Sequence, residues 1–209
     1  MLLIWGIVRW SKRQTVLDKI QDEELKAKEI QNLSAKEKRD SIEEEIAETE
    51  GDITEEISKE KIQQEVDNYI QIENSIFLQI SQGFKSNFIS SQNVRIGSFQ
   101  YDIIMKSKDS VNNKDRIIEI KFYKNRMTIE NIRVAVTNLI FSCKHYETSF
   151  KRHTIAILII VYTEKEFDET IKKYKREVQQ FATETGKLLI VNFFDLEMIA
   201  NAKALDFMK

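Results

Sequence analysis

The sequence predicts an α/β fold, a mixed central sheet with helices on both faces, preceded by a long charged helix near the N-terminus. Three observations predict it. His153 to Tyr162 and Lys187 to Phe194 are nearly unbroken apolar runs, the pattern of strands buried on both faces in a helix-covered parallel sheet. Between Phe88 and Tyr123 lie three short segments rich in β-branched and aromatic residues, parted by polar turns. Around these strands, apolar residues recur at steps of three and four, the helical period.

A 209-residue chain with 42% hydrophobic residues, 12 Phe and 6 Tyr has the apolar material for a core, which excludes wholesale disorder. Pro is absent and Gly numbers 5, so element boundaries rest on periodicity and polar clusters. The single cysteine, Cys143, makes no internal disulfide, and with only His145 and His153 beside it no zinc cluster can form. A reducing, cytoplasmic setting is expected. Cys143 reads as a small buried hydrophobe on a helix, because no paired base accompanies it. His145 reads as a surface or flanking residue, and His153 as structural or phosphate-contacting at the start of a strand.

The chain opens on Met1-Leu2-Leu3-Ile4-Trp5-Gly6-Ile7-Val8, followed by Arg9, Trp10, Lys12 and Arg13. This run is too short to span a bilayer, which takes roughly 20 apolar residues. Residues 1–13 read either as a hydrophobic end that docks on a protein partner or on itself, or as an interfacial anchor at a membrane surface. From Val16 to Ile57 the residues are largely Glu, Lys, Gln, Ile and Ala, with a thin stripe at Ile42, Ile46, Ile53 and Ile57 that Glu23 and Lys38 interrupt and Gly51-Asp52 breaks. The pattern predicts a charged helix serving as a loose coiled coil or solvated stalk, a route to a homo-oligomer. Residues 1–57 are thus set apart from a folded domain at 58–209. Charge divides similarly: residues 1–65 carry 11 basic and 17 acidic side chains, whereas Lys85 to Arg152 carry 13 basic and 6 acidic, a footprint suited to phosphates.

Within the domain, a helix from Ser58 to Gln82 places Ile62, Val66, Tyr69, Ile76 and Ile80 on one stripe, with Gly83 as its stop. The slot between Tyr69 and Ile76 holds Glu73, a carboxylate where the pattern asks for a core hydrophobe. Glu65 lies off the stripe and reads as solvated. Strands Phe88–Ile96, Phe99–Lys106 and Arg116–Tyr123 follow as an antiparallel meander, with residues 107–115 as a turn. A helix from Thr128 to Tyr146 carries Ile132, Val136, Leu139, Ile140 and Cys143 on one side. After the first apolar run, a helix from Glu164 to Thr185 ends at Gly186, and after the second, Asp195 caps a last helix reaching toward Phe207.

Residues two apart on a strand share a face, so Glu119 and Lys121 point the same way. Asp102 lies on the preceding strand, with sixteen residues between it and Glu119, and a hairpin sets the two side by side. Charges on inner strands are costly unless they neutralise one another or hold a cation. Phosphodiester hydrolysis accounts for the set: Asp102, Glu119 and the Ile120 carbonyl are hard oxygen ligands for Mg²⁺, with Mn²⁺ as the expected substitute. Such an ion lowers the pKa of a bound water, while Lys121 orients that water and stabilises the transition state. Glu73 would hold a water of that ion or a second ion.

Asp102 … Glu119-Ile120-Lys121 resembles the D … (D/E)-x-K signature of the PD-(D/E)XK restriction-endonuclease superfamily, and the predicted α-β-β-β-α-β order is similar to that family's core. The resemblance covers roughly residues 60–195. It implies that Asp102 and Glu119 bind metal, that Lys121 is the catalytic lysine, and that Glu73 is the acid many members carry on the first core helix. Tyr101 stands where the signature has proline, and no Gln-x-x-x-Tyr follows the lysine, which argues against the RecB-like branch. The implied function is a Mg²⁺-dependent DNA endonuclease of restriction or defence. Around the centre, Lys106, Lys108, Lys114, Arg116, Lys124 and Arg126 read as candidate phosphate contacts, Lys124 and Arg126 first. No base-reading motif is present, so RNA stays open as a substrate. The competing readings are a cross-strand Asp102–Lys121 ion pair on a solvated face, a catalytically silent DNA-binding or assembly module, and a coiled-coil interaction protein.

Overall fold

The computed structural model describes residues 30–50, 59–109, 114–124, 127–163 and 168–208. The apolar opening at residues 1–13, the stretch 16–29, the Gly51-Asp52 break with Ile53 and Ile57, and Arg126 all lie outside the described residues. No helix among the described residues is long and apolar enough to cross a membrane.

The element order is β1 (Ile30–Asn32), α1 (Ala35–Glu50), α2 (Lys59–Gly83), β2 (Phe88–Ile96), β3 (Phe99–Ser107), β4 (Asp115–Tyr123), α3 (Ile129–Phe150), β5 (Thr154–Tyr162), α4 (Asp168–Thr185), β6 (Leu189–Asp195), the short α5 (Leu196–Ile199) and a 3₁₀ turn, Ala204–Met208. The six strands form one open mixed sheet in chain order. β1 to β4 pair antiparallel, and β4, β5 and β6 pair parallel.

Helices cover both faces. Ala156, Leu158 and Ile160 of β5 pack with α3 residues Val136, Leu139 and Cys143. The alternate residues Ile157, Ile159 and Val161 pack with Ile72, Ile76 and Ile80 of α2 and with Phe207. Two buried faces explain the unbroken apolar run, since a strand with one solvated face would alternate.

Residues 16–57 do not form one continuous helix in their described part. Ile30–Asn32 is an edge strand on β2, and helix begins only at Ala35. Ser34 sets that start: its hydroxyl accepts the Glu37 N–H while Glu37 accepts the Ser34 N–H, a reciprocal capping box. The stripe residues Ile42 and Ile46 are buried against Val66 and Tyr69 of α2, in the same chain. The last helix also differs from expectation. It stops at Ile199, and the chain turns so that Phe207 is buried against Phe194, its carbonyl accepting from Asn192.

The sheet has one irregularity that bears on the site. Phe88 packs on the α2 side, yet Val94 and Ile96, also even-numbered, pack on the α3 side. On β3, Ile103 and Met105 face α2, while Tyr101 packs on the α3 side. Both strands swap faces between Gln92 and Val94 and between Tyr101 and Ile103. There Asn93 adopts a left-handed backbone (φ 52°), which asparagine tolerates better than most residues. Asp102 lies at this crossover.

Candidate active site

The β3–β4 ladder pairs Met105 with Arg116, Ile104 with Ile117 and Ile103 with Ile118, and then opens. Beyond the opening, the backbone N–H of Ile120 has no strand carbonyl on that side, and an unpaired buried donor is costly. Asp102 Oδ2 accepts it at 2.9 Å. The Ile120 carbonyl accepts from the buried Tyr69 hydroxyl at 2.6 Å. One helical turn beyond Tyr69, and so on the same face of α2, stands Glu73, only 2% exposed.

Lys38 of α1 completes the arrangement. Its Nζ lies 2.9 Å from Glu73 Oε1 and 3.0 Å from Asp102 Oδ1, so two carboxylates from different elements converge on one ammonium. Lys121 Nζ lies 3.0 Å from Glu119 Oε1. Burial opposes the charge on Asp102, but Lys38, Lys121 and the Ile120 N–H outweigh it and hold its pKa below the ordinary value. Burial likewise opposes the charge on Lys38, and Asp102 and Glu73 outweigh it, raising its pKa. Glu119 also lines an open cleft of about 440 Å³ with Gln100 of β3 and Asn138, Phe141 and Ser142 of α3.

The donor set suits a hard cation in part. Glu73 and Asp102 already present oxygens to one shared cationic point. Glu119 is turned to Lys121, and the Ile120 carbonyl is taken by Tyr69. Among the described residues no group of three or more Asp, Glu, His or Cys stands together as a metal site. Of the four expected ligands, Glu73 and Asp102 converge, and they do so through the Lys38 ammonium rather than on each other.

Lys38 was visible in the sequence only as an interruption of an apolar stripe. Its signal is the same as that of Glu73, a charge where helical periodicity asks for a hydrophobe, and the two out-of-pattern charges pair.

The basic residues expected to meet phosphates are dispersed. Arg116 stands three residues from Glu119 along β4, roughly 10 Å away, with its guanidinium over the rings of Phe84 and Phe88. Lys106 is exposed at that same end of the sheet, opposite Ile89. Lys124 is near the site end of β4 but is ion-paired with Glu65, which is thus partnered rather than merely solvated. Lys108 donates to the Lys85 carbonyl, and Lys114 is exposed. Cys143 is buried, with burial pushing its thiol up to about 11. His145 stacks on Phe99 and shares a hydrogen bond with the Tyr101 hydroxyl, and His153 is exposed just before β5.

No protein-family model matches this sequence, and no curated protein or solved structure matches it.

Proposed function

We propose that the chain is a metal-dependent endonuclease that hydrolyses phosphodiester bonds in DNA on a restriction-endonuclease-like core, in keeping with a role in restriction or defence. The observation that supports the reading is the opening of the β3–β4 ladder at Asp102, beside Glu119-Ile120-Lys121, with Glu73 of α2 linked to Asp102 through Lys38. Asp102 and Glu73 would hold a Mg²⁺ or Mn²⁺ ion, with Glu119 as a further ligand once turned from Lys121. The ion, when bound, supplies Lewis acidity at phosphorus and acidifies a coordinated water. Lys121, paired with Glu119, would donate to a phosphate oxygen and orient the attacking water. Asp102, by fixing the Ile120 N–H, sets the height of Glu119 and Lys121 on the strand. The open cleft of about 440 Å³ at Glu119 would receive the sugar-phosphate backbone.

Incubation with plasmid DNA in Mg²⁺ or Mn²⁺, beside Lys121→Ala and an EDTA control, tests the proposal. Nicking or linearisation that disappears in both controls supports it. Lys38 favours a second reading, because its ammonium already balances charge between Glu73 and Asp102: a nuclease-like module that binds DNA without cutting it. If folded wild-type protein and Lys38→Gln both bind DNA and neither cuts any form of DNA or RNA, that module is selected.

A further inference from the structure

We infer that α1 is an autoinhibitory plug, with the Lys38 ammonium standing in for a divalent ion between Glu73 and Asp102, so that metal enters as Lys38 is withdrawn. The inference rests on the endonuclease reading for its purpose, and on the geometry for its chemistry. Both carboxylate oxygens lie within 3.0 Å of Nζ. A Mg²⁺-sized ion coordinates at about 2.1 Å, so an ion bound to both oxygens would stand against the ammonium in a nearly dry pocket. Glu73 is 2%, Lys38 11% and Asp102 17% exposed there, and like charges that close are strongly disfavoured. Occupancy is one or the other. Removing Lys38 takes one cation from between the buried Glu73 and Asp102, a change that favours uptake of a metal ion or a proton there.

The attachment of α1 suits a removable element. Its strand, β1, is three residues long, exposed throughout, and at the sheet edge, so its release leaves β2 to β6 paired. Among the described residues α1 contributes two buried apolar side chains to its seat, Ile42 and Ile46, on Val66 and Tyr69 with Ile62, Ile70 and Phe122 packed beside them. The rest is polar: Arg39 with Asp67, Glu37 with Arg95, and Lys38 itself. A competing cation attacks the most buried of these links.

The test is Mn²⁺ binding to the full chain, followed by calorimetry, for wild type, Lys38→Gln and Lys38→Gln/Glu73→Gln. We expect Lys38→Gln to bind at least ten-fold more tightly than wild type, and the second substitution to abolish the gain. In wild type, Mn²⁺ should raise the rate at which acetic anhydride acetylates Lys38, read by peptide mass spectrometry. Equal Mn²⁺ affinity in folded wild type and Lys38→Gln overturns the inference. If Lys38→Gln does not fold, acetylation of wild-type Lys38 decides alone, and a rate unchanged by Mn²⁺ overturns it. The two readings fail separately. A gain in affinity with no DNA cleavage by either protein removes the endonuclease and keeps the plug, whereas cleavage by wild type with unchanged affinity does the reverse.

Discussion

Asp102 Oδ2 accepts the backbone N–H of Ile120 at 2.9 Å, standing in for a strand carbonyl where β3 and β4 part. A side chain thereby continues a ladder that the backbone has abandoned. The same carboxylate meets Lys38 with its other oxygen, so one residue joins the sheet, α1 and, through Lys38, α2. Stability and the proposed chemistry thus depend on the same group.

Asp102→Ala removes a charged acceptor from a backbone donor and a partner from Lys38, and the loss of one such hydrogen bond is about 1.5–3 kcal/mol. A destabilisation of about 2–3 kcal/mol is expected in urea unfolding. Asp102→Asn keeps an oxygen for Ile120 and should lose less. Equal losses in the two variants would mean that the charge, not the ladder repair, is what matters.

Tyr69→Phe isolates the other half of the Ile120 peptide. The hydroxyl donates to the Ile120 carbonyl within the interior, and its removal leaves a buried acceptor unmet while the ring keeps its edge-on contact with Phe122. The expected cost is about 1–2 kcal/mol, again by urea unfolding. A change below about 0.5 kcal/mol would show that the carbonyl finds another donor.

Much of this cluster is legible in the sequence, and the reason is burial. Glu73 declares itself because a carboxylate sits in an apolar stripe, and Glu119-Ile120-Lys121 because charges sit on an inner strand. Strands β2 to β6 announce themselves by alternation or by unbroken apolar runs, within two residues of their observed ends. Lys38 obeys the logic of Glu73, but its helix looked solvated because the stripe of α1 is thin, with Ile42 and Ile46 its buried isoleucines among the described residues. Ile30–Asn32 is too short to show a period. The face swap at Asn93 and Asp102 depends on one left-handed residue, and asparagine signals that only weakly.

Acid should loosen the attachment of α1. Ser34, through its N–H and hydroxyl, and then Arg95 lower the Glu37 carboxyl from 4.5 to about 2. A depressed carboxylate stabilises the fold above its unfolded pKa, and that contribution fades as pH falls through the folded value. The Glu37 contribution is therefore lost between about pH 4.5 and pH 2. Asp102 follows the same sign, fading below its unfolded 3.8. Urea midpoints measured from pH 7 to pH 2 should fall less steeply in Glu37→Gln and in Asp102→Asn than in wild type. Parallel curves for all three proteins would rule out both carboxylates as acid-sensitive links.

Gly83 closes α2 through space rather than through backbone freedom. A Cβ there would overlap the Cβ of Ala204 at the start of the 3₁₀ turn, and that turn carries the buried Phe207. Alanine in place of glycine near a helix end gains up to about 1 kcal/mol of propensity, whereas forcing a methyl into a filled contact costs about 1–3 kcal/mol. Overlap of two Cβ atoms gives neither side a flexible end to move, so the steric term should win and Gly83→Ala should be destabilising. Ala204→Gly removes the obstacle. In the double variant the new methyl has room and the propensity gain survives, so the two changes should couple favourably by about 1–2 kcal/mol in a double-mutant cycle. Additive changes would mean that the C-terminal turn shifts freely away from α2, and that its seat there does not hold Phe207 in the core.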